Sequence, residues 1–107
     1  MAARPVAGEG APSPAAEVRS VWSLRALRDV EEIYRYVAAD KPDAARKLAG
    51  KLLLAGDQLA LHPYLGREAS AKGMRELIVG SYLLVYRVRE DVEIVTLLHG
   101  ARRKKRR

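Results

Sequence analysis

His99 is the side chain in this sequence whose type best suits it to move a proton. It stands beside Gly100 at the end of the apolar run Val92 to His99. Arg75, Tyr82 and Tyr86 stand in the two runs before it. If the three runs pair as antiparallel strands, these four side chains share one face. A His–Tyr–Arg group can do general acid–base work on a phosphodiester, with the arginine stabilising the charge of the transition state. The same histidine can instead fasten a strand end through a ring nitrogen bonded to backbone, and the residues alone favour that simpler role. His62, before Pro63, reads as a capping or surface residue. Arg67 and Arg75 flank a polar loop, where either can meet an acidic partner or stand in water. Glu31 and Glu32 have Arg35 and Arg28 four residues away, which is surface pairing on a helix.

Other chemistries lack their residues. There is no glycine-rich phosphate loop, no metal-ligand spacing and no cysteine, so no cofactor, metal, thiolate or disulfide is expected. An absence of cysteine suits a reducing compartment, and the expected location is cytoplasmic. No apolar run approaches the roughly 20 residues of a membrane span. Residues 1–16 are rich in Ala, Pro and Gly and have no apolar core of a signal peptide. They are expected to form a disordered extension.

The elements that must position these residues follow from the pattern. Residues 17–22 alternate and read as a short strand. Ser23 is a good helix N-cap. Leu24, Leu27, Val30, Ile33, Tyr34 and Val37 then repeat at three and four, one face of a helix that should stop near Asp40, ahead of Pro42. Pro42 suits the first turn of a second helix. Ala45, Leu48, Leu52, Ala55 and Leu59 make the apolar stripe of that helix, widened by Leu53 and Leu54, and His62-Pro63 ends it. The two helices form an antiparallel αα-hairpin. A polar loop, 63–73, leads to three strands at roughly 74–79, 82–89 and 92–99.

Gly80-Ser81 suits a type II′ hairpin turn, whereas Glu90-Asp91 is a poorer two-residue turn. Two-residue loops at both places pair Val79 with Tyr82, Arg75 with Tyr86, Tyr82 with His99, and Tyr86 with Val95. One face then carries Arg75, Leu77, Val79, Tyr82, Leu84, Tyr86, Val88, Glu93, Val95, Leu97 and His99. The other carries Glu76, Ile78, Leu83, Val85, Arg87, Arg89, Val92, Ile94, Thr96 and Leu98. A half-solvated sheet should alternate apolar and polar, and this one does so only at its rims. The helical hairpin can cover one face. Either the remaining face awaits a partner, or helices and the N-terminal segment wrap both.

The formal charge of +7 is unevenly placed. Residues 102–107 are all Arg or Lys, leaving 14 basic and 13 acidic side chains in residues 1–101. The chain therefore divides into an extension 1–16, one folded domain 17–101 and a basic tail 102–107. Such a tail adds salt-sensitive, non-specific attraction to nucleic acid and no sequence recognition.

In this order the elements and several motifs resemble the RelE/ParE toxin superfamily, and within it the ParE-like subfamily. The matching residues are Ala26, Asp29, Ile33 and Tyr36 in the first helix and Pro42-Asp-Ala-Ala45 at the helical turn. Leu59-Ala-Leu-His-Pro63 with Gly66-Arg67 matches the loop, and Arg75-Glu-Leu77, Gly80-Ser-Tyr82, Tyr86-Arg-Val88 and His99-Gly-Ala-Arg102 match the sheet. The resemblance spans about residues 17–103 and implies an α+β, RelE-like fold of order β-α-α-β-β-β. It also implies the toxin of a bacterial type II toxin–antitoxin module of the plasmid-stabilisation kind, causing growth arrest until a cognate antitoxin neutralises it.

ParE-like members inhibit DNA gyrase as binders, and RelE-like members cut messenger RNA on the ribosome. RelE-like nucleases commonly carry a basic residue after the Gly-x-Tyr hairpin to hold the phosphate. Leu83 occupies that position here, which points toward gyrase. The nuclease alternative would use His99, with Arg75 or Arg102 on the phosphate. The residues expected to meet a partner are Arg67, Arg75, Tyr82, Tyr86, Arg87, His99, Arg102 and Arg103.

Overall fold

A computed structural model describes residues 18–100. The expected extension, 1–16, and the tail, 102–107, lie outside the described residues. The order of elements is β1 (Ser20–Trp22), α1 (Leu24–Ala38), α2 (Pro42–Leu61), β2 (Arg67–Glu68), β3 (Arg75–Val79), β4 (Tyr82–Val88) and β5 (Val92–His99). The strands form one sheet in the order β1-β5-β4-β3-β2. β1 runs parallel to β5, and the other pairs are antiparallel. The α+β architecture is the expected one, with one addition: Arg67 and Glu68, in the expected polar loop, pair with Glu76 and Arg75 as a two-residue edge strand.

Ser23 begins α1 as its sequence promised. Its Oγ accepts from the Ala26 amide at 2.9 Å and donates to the Val95 carbonyl at 2.8 Å. The N-cap thus ties the helix to the sheet while satisfying one of the helix's orphan donors. Pro42 opens α2, where its missing amide costs nothing.

Both helices pack on one face of the sheet. The core joins Ala26 of α1 and Leu52, Ala55 and Leu59 of α2 to Leu84, Tyr86, Val92, Ile94 and Leu97. The α2 stripe is the expected one, but Leu53 and Leu54 do not widen it; both are exposed. On α1, Val30 and Ile33 pack against the core, whereas Leu24 and Leu27 are exposed. Buried Ala26 holds the place that the apolar periodicity assigned to those leucines. A small residue there lets the helix approach the sheet closely. Gly56 has a similar role on α2: a Cβ there would lie 2.7 Å from Trp22 Cζ2 and 3.1 Å from Ile94 Cδ1. Its carbonyl also accepts a hydrogen bond from Ser20 Oγ.

The β3–β4 register is as expected, with Val79 opposite Tyr82 and Arg75 opposite Tyr86, and Gly80 takes the positive φ of the turn. The β4–β5 register departs from expectation and then returns to it. Tyr86 faces Ile94, not Val95. The poor turn sequence Glu90-Asp91 is replaced by a three-residue loop, with Val88 opposite Val92. That one-residue slip reverses the faces of the residues beyond it. Val92 and Ile94 enter the core, each fully buried, while Glu93 joins the opposite face and pairs with Arg87 at 2.6 Å. An irregularity between Val85 and Tyr86 takes up the extra residue, so Leu84 meets Leu97 and Tyr82 meets His99 as expected.

The correction reduces the apolar excess of the face away from the helices. It loses Val92 and Ile94 and carries two ion pairs, Arg67–Glu76 and Arg87–Glu93. Leu83 and Val85 are buried there, and Ile78 is the exposed large apolar residue. Other large apolar side chains exposed among the described residues lie on β1, on the helices and on the loop after α2: Val21, Leu24, Leu27, Tyr36, Leu53, Leu54, Leu61, Tyr64 and Leu65.

Candidate functional surface

The loop after α2 is fastened by side chains from the sheet. His62 caps α2 through a bond from its amide to the Gln58 carbonyl, and the Leu65 amide donates back to the His62 carbonyl. Tyr86, fully buried, reaches this loop with its hydroxyl. Its Oη accepts from the Gly66 amide and donates to the Pro63 carbonyl, both at 2.8 Å. Arg75 donates to the Gly66 carbonyl from Nε at 3.2 Å and from Nη2 at 2.9 Å. Both backbone groups of Gly66 are therefore held by side chains. No larger residue fits there, because a Cβ would lie 2.6 Å from the Glu76 carbonyl oxygen and 2.8 Å from Tyr86 Oη. The Arg75 guanidinium also lies over the Tyr64 ring, 5.1 Å from its centroid, in cation–π range.

The remaining candidates are dispersed. Arg67 pairs with Glu76 at 3.2 Å, its own side chain exposed and the glutamate almost wholly buried. Arg87 is paired with Glu93 on the face away from the helices. Tyr82 and His99 meet edge to face, with ring centroids 5.1 Å apart. His99 and Arg75 are not brought together. They pair with Tyr82 and Tyr86 of β4, four residues apart, or about 13 Å along the strand. Arg102 and Arg103 lie outside the described residues. Among the described residues no group of three or more His, Cys, Asp or Glu side chains could hold a metal, and no helix is long and apolar enough to cross a membrane.

One residue that the chemical reading passed over is Asp29. β1 ends at Trp22, opposite Ile94, so β5 continues beyond it with one edge unpaired by a strand. Asp29 of α1 serves that edge: its Oδ2 accepts from Thr96 Oγ1 at 2.6 Å and from the Leu97 amide at 3.0 Å. Its place among the family-matching residues of the first helix was the signal that could have found it. Gly66 carried the same signal, as part of Gly66-Arg67.

A cleft of about 340 Å³ opens beside the fastened loop, between Tyr64 and the start of β3. Its walls include Tyr64, Met74 and Val88, and its charged groups are Glu68, Lys72 and Arg75.

The fold is that of solved toxin–antitoxin structures. A chromosomal ParDE TA system from P. aeruginosa matches with a TM-score of 0.71 at 19% identity, over 78% of this chain and 96% of that one. The toxin–antitoxin complex RelBE2 from Mycobacterium tuberculosis matches with a TM-score of 0.57 at 20% identity, over 78% and 99%. Sequence narrows the class. Residues 21–104 match the family described as ParE toxin of type II toxin-antitoxin system, parDE. The Putative toxin Y4kP of Sinorhizobium fredii is 42% identical over 81 residues, covering 74% of this chain and 84% of the relative. Toxin RelE2 of Caulobacter vibrioides is 39% identical over 83 residues, covering 77% and 94%. The chain belongs to the ParE toxin family of type II toxin–antitoxin systems.

Proposed function

We propose that this toxin acts by binding and inhibiting DNA gyrase, and that a cognate antitoxin neutralises it. The observation that carries the reading is Leu83. It follows the Gly80-Ser81 turn at the position where RelE-like nucleases commonly hold a phosphate with a cation. Leu83 has no charge to offer, and it is 6% exposed, flanked by Ile78 and Leu98 in the ladder. The sheet arginines add support. Arg67 and Arg87 face carboxylates and Arg75 faces a backbone carbonyl, so each has an internal structural partner. A surface organised in this way suits binding better than phosphodiester cleavage.

The test is a supercoiling assay with purified toxin. Micromolar toxin is expected to block supercoiling and to accumulate cleaved DNA. Folded toxin that leaves gyrase active at that concentration would sink the reading. Ribosome-dependent cuts in primer-extension mapping that vanish in His99→Gln would establish the RelE-type alternative instead. The antitoxin is expected from a neighbouring reading frame, co-purifying with the toxin and restoring growth.

A further inference from the structure

The loop after α2 combines two properties. Its backbone is tightly fixed: the phenol of Tyr86 and the guanidinium of Arg75 together hold Pro63 and Gly66, and Gly66 has no space for a side chain. Beside the exposed His62 it displays two large apolar side chains, Tyr64, 67% exposed, and Leu65, 53%, and Leu61 at the end of α2 adds a third, 76% exposed. Loops at the surface ordinarily present polar side chains, and a neighbouring group of exposed large apolar residues marks an interaction site. Rigid aromatic and aliphatic anchors lose little entropy on binding, which makes them effective centres of protein–protein contacts.

The adjoining cleft indicates what should dock there. Tyr64 belongs to both the apolar knob and the cleft wall. The cleft carries Lys72 and the charge of Arg75, whose donors already bond the Gly66 carbonyl, against one carboxylate, Glu68, over the apolar walls of Met74 and Val88. It therefore favours a single anionic side chain that enters beside an apolar contact.

We infer that Leu61, Tyr64 and Leu65, with the cleft holding Lys72 and Arg75, form the surface by which this toxin grips its target. The occupant is a protein presenting an apolar patch with a carboxylate beside it. The inference deepens the gyrase reading, since gyrase would be the protein so gripped.

Two variants of the full chain test it: Tyr64→Ala/Leu65→Ser, which removes exposed anchors, and Lys72→Glu, which reverses the cleft's charge. Each is measured for folding by circular dichroism, for antitoxin co-purification, for gyrase inhibition and for growth arrest in cells. The double variant should need about tenfold or more toxin for half-inhibition of gyrase, and should lose growth arrest, while still folding and binding antitoxin. Lys72→Glu should weaken inhibition in the same sense, whereas Lys47→Glu, on α2 outside the cleft, should not. Unchanged inhibition and growth arrest by the folded double variant overturn the inference. So does lost antitoxin binding with inhibition intact, which would make this the antitoxin's seat. If the parent toxin leaves gyrase active, the gyrase reading fails by itself. Growth arrest then still decides the surface: it is lost in the double variant if the target docks there and kept if it does not.

Discussion

Tyr86→Phe is the sharpest test of how the loop after α2 is held. The substitution keeps the ring and its packing and deletes one hydroxyl. That hydroxyl accepts from the Gly66 amide and donates to the Pro63 carbonyl, both at 2.8 Å. Gly66 is buried, so its amide would have no water to turn to. Leaving such a donor unpaired costs about 1–3 kcal/mol. Pro63 is only partly buried, so water can replace much of what its carbonyl loses, adding on the order of 0.5 kcal/mol. The expected total centres on about 2–3 kcal/mol within the range of about 1.5–3.5 kcal/mol that these terms span, against a stability on the order of 5–10 kcal/mol for a domain of this size. With a urea slope of about 1–2 kcal/mol/M, the unfolding midpoint should fall by about 1–3 M at unchanged slope. Amide exchange at Gly66 should quicken in parallel. A midpoint within about 0.3 M of the parent protein would refute the argument, because the phenol would then hold nothing that water cannot hold as well. A leucine at this position would not serve, since it would add a cavity to the lost hydrogen bonds.

Three further outcomes follow from the same structure. Asp29→Ala should lower stability by about 2–3 kcal/mol in urea unfolding, because Thr96 Oγ1 and the Leu97 amide lose a charged acceptor; Asp29→Asn, which keeps an acceptor oxygen, should cost less. Gly56→Ala should lower the melting temperature through about 1–3 kcal/mol of overpacking against Trp22, whereas Gly50→Ala, where an added Cβ meets nothing within 4 Å, should be neutral or stabilising. Removing residues 102–107 should weaken the salt-dependent component of binding to random-sequence DNA, giving a shallower log–log salt slope in a titration, without moving the unfolding midpoint.

Most of the fold was legible because its signals are local. The Ser23 cap, the Pro42 start, the α2 stripe and the Gly80-Ser81 turn each involve residues close in sequence. The helix positions of Leu24 and Leu27 were legible as a face, but the face that α1 buries is centred on Ala26, and alanine contributes little to an apolar pattern. The β4–β5 register was hidden for a different reason. Glu90-Asp91 does not specify a two-residue turn, and the irregularity near Val95 restores the register farther along. The far end of the strand pair therefore looks consistent with a wrong register at the turn. What decides the half next to the turn is tertiary: Val92 and Ile94 become fully buried under the helices, while Glu93 reaches Arg87. Burial of two β-branched side chains and one ion pair outweighs a turn of no strong preference.

The hydrogen bonds also change where function should be sought. Read from the sequence, His99, Tyr82, Tyr86 and Arg75 share one face of the sheet. In the structure Tyr86 holds a loop, Arg75 holds the same loop, and Arg67 and Arg87 each meet a carboxylate. His99 meets Tyr82 at the opposite end of β4 from Arg75. Groups that act together on one bond must approach the reacting atoms within about 3–3.5 Å; His99 and Arg75 stand about 13 Å apart along the strand, and the Arg75 donors are turned to the Gly66 carbonyl. The polar residues of Tyr86, Arg75 and Gly66 instead make a rigid mount. That mount carries the exposed apolar side chains of Tyr64 and Leu65, next to Leu61 at the end of α2. A hydrogen-bond network that fixes the backbone beneath exposed hydrophobic side chains lowers the ordering cost of a contact they make.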